Sequence, residues 1–289
     1  MIGMNALGYM GRLGNQMFQF AALKGIARNR GFNYCFPPSN LKEEYPNVRV
    51  YDESVASGRA QHTLHLPFTF GNTSGLNIQF LDQDRPTAVE GGFCFDENLF
   101  NRVPDWVSLQ GYFQSEKYFK HVRDELLKDF TFQDYILNPC KEMMSQFDEP
   151  PISLHVRRTD YTTNPNHTAI PLKYYISALE EVPRTYDSCT LPVLVFSDDP
   201  EWCKEQELFS DNRFMIAEGN SGYVDMCLMT MCSYHIIANS SFSWWGAWLQ
   251  NGKGNIIAPN PDKWYGSAMT HLDTSMMVPA RWQIQDWSK

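Results

Sequence analysis

The pattern of apolar and polar positions divides the chain into a loop-broken first half and a regular second half. Residues 2–7 form a short apolar run that predicts a strand. A loop with Gly8, Gly11 and Gly14 follows. Phe18, Ala22, Gly25 and Ile26 then fall at helical spacing until Gly31 ends the run, so a helix is expected over about 15–30. Residues 32–36 read as the next strand, which completes a β-loop-α-β opening with a glycine turn at its ligand edge. Residues 37–101 are loop-rich and show no clear period. Residues 106–113 predict a strand, and 115–130 a helix started by a Ser115 cap.

The polar stretch 133–151 ends in Asp-Glu-Pro-Pro, and a domain boundary is placed at 148–151. Beyond it, strands are expected at 152–156, 191–197, 213–217, 234–238 and, as the last, 255–259. Helices are expected between them at 171–182, 200–209, 223–232 and 241–250. Pro171 and Pro200 open the first two. Leu172, Tyr175, Ile176 and Leu179 form the inner face of one helix, and Val224, Cys227, Leu228 and Met231 that of another. The run 191–197 is continuously apolar, as a strand buried on both faces must be. This alternation argues for an α/β fold with a parallel sheet, whose ligands sit at the carboxyl ends of the strands.

Composition narrows the function classes. The 289 residues suggest about two domains at roughly 150 residues each. Hydrophobic residues make up 43% and charged residues 20%, which suits a globular protein with a real core. A net charge of −9 disfavours nucleic acid and acidic membranes as partners, so an anionic ligand must be held by a few local cations. No signal peptide and no transmembrane segment is read. Seven cysteines without a CxxC pair read as free thiols in a reducing compartment. The expected location is cytoplasmic, or peripheral at a membrane carrying lipid-linked glycan. Sequons at Asn72, Asn166 and Asn239 then read as accidental.

Three successive strand ends carry candidate chemistry. His155-Val-Arg157-Arg158-Thr-Asp160 closes the strand at 152–156, and two adjacent arginines there call for an anion such as a phosphate. An isolated Arg-Arg-x-Asp reads instead as a surface ion pair, Arg158 to Asp160. Asp198 and Asp199 end the next strand. Asp199, before Pro200, reads as a helix cap, whereas Asp198 is placed to accept from a base or ribose. Ser240, Ser241 and Ser243 bring hydroxyls and amides to a helix N-terminus, with one serine as the cap and most of Trp244, Trp245 and Trp248 as core. Together the three ends suit a nucleoside diphosphate. Asp82 and Asp84 form a bare DxD that reads as a solvated loop, and His62 and His65 have the wrong spacing for a zinc pair.

The segments GRLGNQMFQFA, GYFQSEKYF, HVRRTDY, FSDD and NSSFSWWGAWL occur in the order seen in bacterial-type α-1,2-fucosyltransferases of glycosyltransferase family 11, which the chain resembles over about residues 8–260. The family is similar in its HxRRxD element to α-1,6-fucosyltransferases and protein O-fucosyltransferases. The resemblance implies a GT-B fold, with two Rossmann-like domains facing across a cleft: 1–148 on the acceptor side and 149–289 binding the donor, with the last segment open to packing back on the first domain. It implies GDP-β-L-fucose as donor, inversion, the 2-hydroxyl of a galactose-containing glycan as acceptor, and no metal or other cofactor.

Carried over by motif, Arg157 would hold the β-phosphate and leaving oxygen. Arg158 and Asp160 would support the nucleotide pocket, and His155 its floor. Asp198 and Asp225 would approach the guanosine, and Ser241, Phe242 and Ser243 the diphosphate. Arg12, Gly14 and Asn15 would reach donor and reaction centre from the facing domain, with Asn15 and Arg157 catalytic. The family often has Gly where this chain has Thr159. Glu90, Asp96 and Glu116 are candidates for a general base, none of them singled out. The rival readings are a GT-B transferase with another nucleotide sugar or acceptor, a metal-dependent transferase built on Asp82 and Asp84, and a non-catalytic glycan-binding protein.

Overall fold

The computed structural model describes residues 1–37, 63–73, 85–182, 191–250 and 254–287. Asp82, Asp84 and His62 lie outside the described residues. The chain divides into two compact units, Met1–Gln133 and Asp134–Lys289.

The first unit holds a four-stranded parallel sheet in the order β2-β1-β4-β3, from β1 (Ile2–Gly3), β2 (Tyr34–Cys35), β3 (Thr87–Val89) and β4 (Ser108–Gln110). Helix α1 (Leu13–Arg30) connects β1 to β2 and ends on Gly31, whose φ of 67° makes the left-handed stop. Almost every residue of α1 from Leu13 to Ala27 is buried. Gly25 is required there, because a Cβ would strike the Tyr118 carbonyl oxygen. A short turn α2 (Leu66–Thr69) and helix α3 (Glu97–Arg102) follow, the latter capped by Asp96, whose carboxylate accepts from Leu99 N at 2.9 Å. The expected helix over 115–130 is broken. Two 3₁₀ turns, Glu116–Tyr118 and Lys120–Val122, precede α4 (Arg123–Asp129), and Ser115 makes no cap bond.

The second unit begins earlier than the boundary expected at 148–151. Helix α5 (Asp134–Met144) belongs to it because it packs on α8 (Gly222–Met231), with Cys140 Sγ 3.6 Å from Val224 O. Its six-stranded parallel sheet runs β10-β9-β8-β5-β6-β7. The strands are β5 (Ile152–Val156), β6 (Val193–Ser197), β7 (Phe214–Ile216), β8 (Tyr234–Ile236), β9 (Ile256–Pro259) and β10 (Gln283–Gln285). Helices α6 (Leu172–Glu181), α7 (Pro200–Lys204) and α9 (Ser241–Trp248) complete it. The strand at 255–259 is therefore not the last. The final segment joins the second unit, where β10 pairs in parallel with β9 and Trp282 meets the α9 residue Trp244 at 5.1 Å between ring centroids.

Two helix faces differ from expectation. On α6, Tyr174, Tyr175 and Ala178 are buried while Ile176 is 44% exposed, because the Tyr174 hydroxyl turns that side inward to donate to Ile237 O at 2.8 Å. On α8, Met226, Cys227, Leu228 and Met229 are buried, while Val224 and Met231 are only half-buried. Trp244, Trp245 and Trp248 are core, each at most 1% exposed. No described helix is long and apolar enough to cross a membrane.

Candidate active site

Strand order in the second sheet reverses at β5, which has β6 on one side and β8 on the other. The carboxyl ends of these three strands are therefore adjacent at the switch point, where open parallel sheets bind ligands. The side chains found there are those named from the motifs, but their pairings are specific to the fold.

Arg157 lies just past β5. One guanidinium nitrogen pairs with Asp160, and Nη1 lies 3.1 Å from Asp198 Oδ2. The guanidinium carbon sits 5.1 Å from the Tyr161 ring centroid. Tyr161 in turn stacks on His167 at 4.2 Å and an interplanar angle of 3°, with Tyr265 6.1 Å beyond. The charge is thus held by two carboxylates and an aromatic face, which fixes a side chain that is otherwise long and mobile.

Arg158 points elsewhere. Its Nε donates to Asp199 at 3.3 Å and its guanidinium lies 3.7 Å from the Trp202 ring centroid. No Arg158–Asp160 pair forms among the described contacts. Asp199 combines this pairing with the expected cap of α7, accepting from Trp202 N at 3.3 Å. Asp198 is turned to the β5 end. It accepts from Arg158 N at 2.8 Å and from the Thr159 hydroxyl besides pairing with Arg157. Its acceptors thus hold the 157–159 turn, a different task from the nucleoside contact expected of it. Burial works to raise the Asp160 carboxyl, but Arg157 and the Thr159 hydroxyl outweigh it, and the group is held below its ordinary value.

His155 is 5% exposed, and burial pushes its imidazole down to about 3, so it stays neutral near neutral pH. Its Nδ1 shares a hydrogen bond with Ser243 Oγ at 2.8 Å, and its ring lies 5.7 Å from that of Phe242. Ser243 is itself 1% exposed, so its hydroxyl serves His155, whereas a diphosphate contact was expected. Ser240 is the cap of α9, accepting from Phe242 N at 3.3 Å, and Ser241 and Phe242 are half-buried in the first turn. Asp225 lies in the first turn of α8, where Asn220 donates to it at 3.0 Å. Burial pushes it up to about 6, partly offset by that bond.

Three further residues pack around these strand ends, none of them given a role there by the sequence pattern: Tyr161, His167 and Asn239. Asn239 is 1% exposed, and its amide donates to Thr168 O at 2.8 Å and Trp264 O at 2.7 Å, so this sequon is closed to modification in the folded chain. Tyr161 ends the HVRRTDY segment, but its stacking role has no local signal.

In the first unit the glycine loop is built tightly. Gly8 and Gly11 have φ of 94° and 78°, and a Cβ on Gly11 would collide with the Asn15 amide. The fully buried Gln16 braces the loop, donating to Gly11 O at 3.2 Å and Thr63 O at 2.8 Å while accepting from His65 N at 2.8 Å. Arg12 is exposed at the helix N-cap and makes no side-chain cap bond. Gly14 is buried in the first turn. Asn15 accepts from Gln114 Nε2 at 2.8 Å. Of the three base candidates, Asp96 is occupied as the α3 cap, and Glu116 is half-buried in a 3₁₀ turn. Burial pushes Glu90 up to about 7, against hydrogen bonds from Phe113, Tyr112 and Tyr118.

The sequence matches the family described as Glycosyl transferase family 11 over residues 95–277. The chain belongs to that family. It is 32% identical to an Escherichia coli alpha-1,2-colitosyltransferase, covering 94% of this chain and 95% of the relative. It is 26% identical to galactoside alpha-(1,2)-fucosyltransferase 2 of Sus scrofa, covering 89% and 72%. In fold it is similar to the crystal structure of POFUT1 in complex with GDP, with TM-score 0.51 and 14% identity over 89% of this chain and 96% of that one. The two units with parallel sheets are of the GT-B type. This family 11 chain is a glycosyltransferase that uses a nucleotide sugar.

Proposed function

We propose that the enzyme moves L-fucose from GDP-β-L-fucose to the 2-hydroxyl of a terminal galactose in a glycan, with inversion and an α-1,2 linkage. The observation that carries this reading is the Arg157 guanidinium, fixed by Asp160, Asp198 and Tyr161 at the carboxyl end of β5. Breaking the bond between the sugar C1 and the diphosphate places negative charge on GDP. A fixed cation beside that charge stabilises it without reorganising during the reaction, the largest contribution in many enzymes. In this reading Arg157 takes the role that a metal has in other transferases. Asp198 and Asp160 are its positioning partners, and the α9 N-terminus offers backbone N–H groups to the same anion. Arg12 and Asn15 are proposed as donor groups of the first unit's glycine loop, with Asn15 acting in the transfer step. The acceptor hydroxyl gives up its proton to a base as its oxygen bonds the sugar C1.

A second donor is favoured by the colitosyltransferase relative. Colitose is fucose without its 3-hydroxyl. A site built to bond that hydroxyl rejects the deoxy sugar by about 10⁴-fold or more, whereas a site that merely accommodates it discriminates weakly. Initial rates with GDP-fucose and GDP-colitose, on acceptors ending in β-galactose and on the 2-deoxygalactose analogue, test the reading. Faster transfer of fucose, lost with the 2-deoxy acceptor, is the expected result. Preference for colitose selects the second donor, and transfer to the 2-deoxy acceptor overturns the linkage. Activity is expected to survive EDTA, and Asp82→Ala with Asp84→Ala to remain active. A loss restored by Mn²⁺ would transfer the charge-stabilising role to a metal.

Asp225 is proposed to read guanine, whose N1–H and 2-amino groups are a matched pair of donors for a carboxylate. Its raised value means that the folded chain binds a proton the unfolded chain has released. Its contribution therefore lowers stability as pH rises from about 4 to about 6, by on the order of 3 kcal/mol once ionised. Asp225→Asn is expected to raise the melting temperature at pH 7 while weakening GDP binding by roughly 10-fold or more. Thermal unfolding at pH 5 and pH 7 beside GDP titration checks both signs. Unchanged GDP affinity would remove Asp225 from the base site.

A further inference from the structure

The first unit contains a half-buried carboxylate to which the reading above gives no task. Glu90 follows β3, and its Oε2 accepts from Tyr112 N at 3.0 Å and Phe113 N at 2.7 Å. The Tyr118 hydroxyl, whose oxygen accepts from Asp96 N at 2.8 Å, lies close to the Glu90 carboxyl. Phe113 is fully buried with φ of 54°, in the left-handed region that bulky side chains rarely enter. Glu90 thus secures a backbone turn that local sequence disfavours. The approach is close: a Cβ on Gly111 would lie 2.5 Å from Glu90 Cβ.

This turn is tied to α1 at two points. Gln19 Nε2 donates to Gly111 O at 3.1 Å, and Gln114 Nε2 donates to Asn15 Oδ1 at 2.8 Å. The second bond has a consequence for polarity. The two ends of a primary amide are nearly equal in shape, so only its partners determine which end faces where. With Oδ1 engaged by Gln114, it is Nδ2 that Asn15 turns toward the Gly11 loop.

We propose that Gln114 is a positioning residue for Asn15, fixing its amide so that the NH₂ end faces the transfer reaction, and that Glu90 secures Gln114 by holding the 111–113 turn. The proposal rests on the role given to Asn15 above.

The substitution Gln114→Glu tests it. Size is kept, but an acceptor replaces the donor opposite Asn15 Oδ1, so the Asn15 amide must rotate to donate to it. Turnover is expected to fall by roughly 30-fold, with KM for the donor and GDP affinity within about 3-fold, because an interaction made chiefly in the transition state is misdirected. Gln114→Ala imposes no opposite polarity and is expected to lose about 5-fold. Glu90→Gln keeps an acceptor oxygen for the two backbone amides and should retain most of the turnover that Glu90→Ala loses. If Gln114→Glu turns over within twofold of the parent while Asn15→Ala is inactive, positioning is overturned and the role of Asn15 stands. If Asn15→Ala itself remains active, the role of Asn15 falls and the proposal with it. Should Gln114→Glu not fold, an unchanged turnover in Gln114→Ala overturns the proposal alone.

Discussion

Arg157→Ala is expected to cut transfer by about 10³–10⁵-fold, the range in which a transition-state arginine acts on a departing phosphate group. Arg157→Lys is expected to lose at least about 100-fold despite keeping the charge. The reason is geometric. The guanidinium places one nitrogen against Asp160 and another 3.1 Å from Asp198, and it lies over the Tyr161 ring. An ammonium is a single point and cannot span both carboxylates while facing an anion. Folding must be followed alongside, because removing the cation leaves Asp198 with one partner fewer. Asp198 still accepts from Arg158 N and Thr159, so the fold is expected to persist. Initial rates together with thermal unfolding make the check. Arg157→Lys with most of its activity would show that this guanidinium does not stabilise the leaving group.

Asn15→Ala is expected to reduce turnover by about 10²–10³-fold, the cost of removing one donor aimed at developing charge. GDP affinity should change little, since the proposed diphosphate and base contacts are mainly those of the second unit. The rival explanation is a helix cap, whose loss costs about 0.5–2 kcal/mol of stability. The structure moves the cap away from Asn15: α1 begins at Leu13 with Arg12 as its N-cap residue. The structural cost of Asn15→Ala is then mainly the bond from Gln114, about 0.5–1.5 kcal/mol. Calorimetric GDP titration beside rate measurements distinguishes the two. A mutant with a lowered melting point and normal turnover would reduce the loop to a structural turn.

The second unit was legible because strands covered on both faces are rich in apolar residues and alternate with helical stretches: β6 falls inside the apolar run 191–197, and β5, though it carries Ser153 and His155, ends in the charged motif that marks the sheet edge. Helix phase was harder. Residue α8 Gly222 lies close to Phe242 of α9, and α5 packs on α8 as well, so apolar side chains occur around most of that helix and no single stripe stands out. In the first unit, β3 is only three residues long and mostly exposed, too short to show a period. The break in 115–130 follows from contacts with α1 at Gly25, which no local pattern records. The same holds at the site. Arg157, Arg158 and Asp160 could be named from position and charge, but Asp198 meets Arg158 N across forty residues of chain, and Asn239 meets Thr168 across seventy-one. Such pairings exist only once strands are ordered. Asp198 accordingly read as a ligand contact, although its oxygens are committed to the β5 turn.

The strand reversal at β5 also bears on how such enzymes diversify. Arg157, the Asp198 carboxylate that fixes it and the α9 N-terminus proposed to meet the same anion are anchored to the ends of β5, β6 and β8, strands that also build the core of the second unit. A diphosphate is common to every donor of this kind, so the rigid part of the molecule is dedicated to what does not vary. Discrimination between sugars that differ by one hydroxyl can then change through a few side chains elsewhere, leaving the sheet untouched. On the proposed reading, exchange of one donor sugar for another becomes a problem of local substitution, open to directed evolution that leaves the Arg157 end of the sheet unchanged.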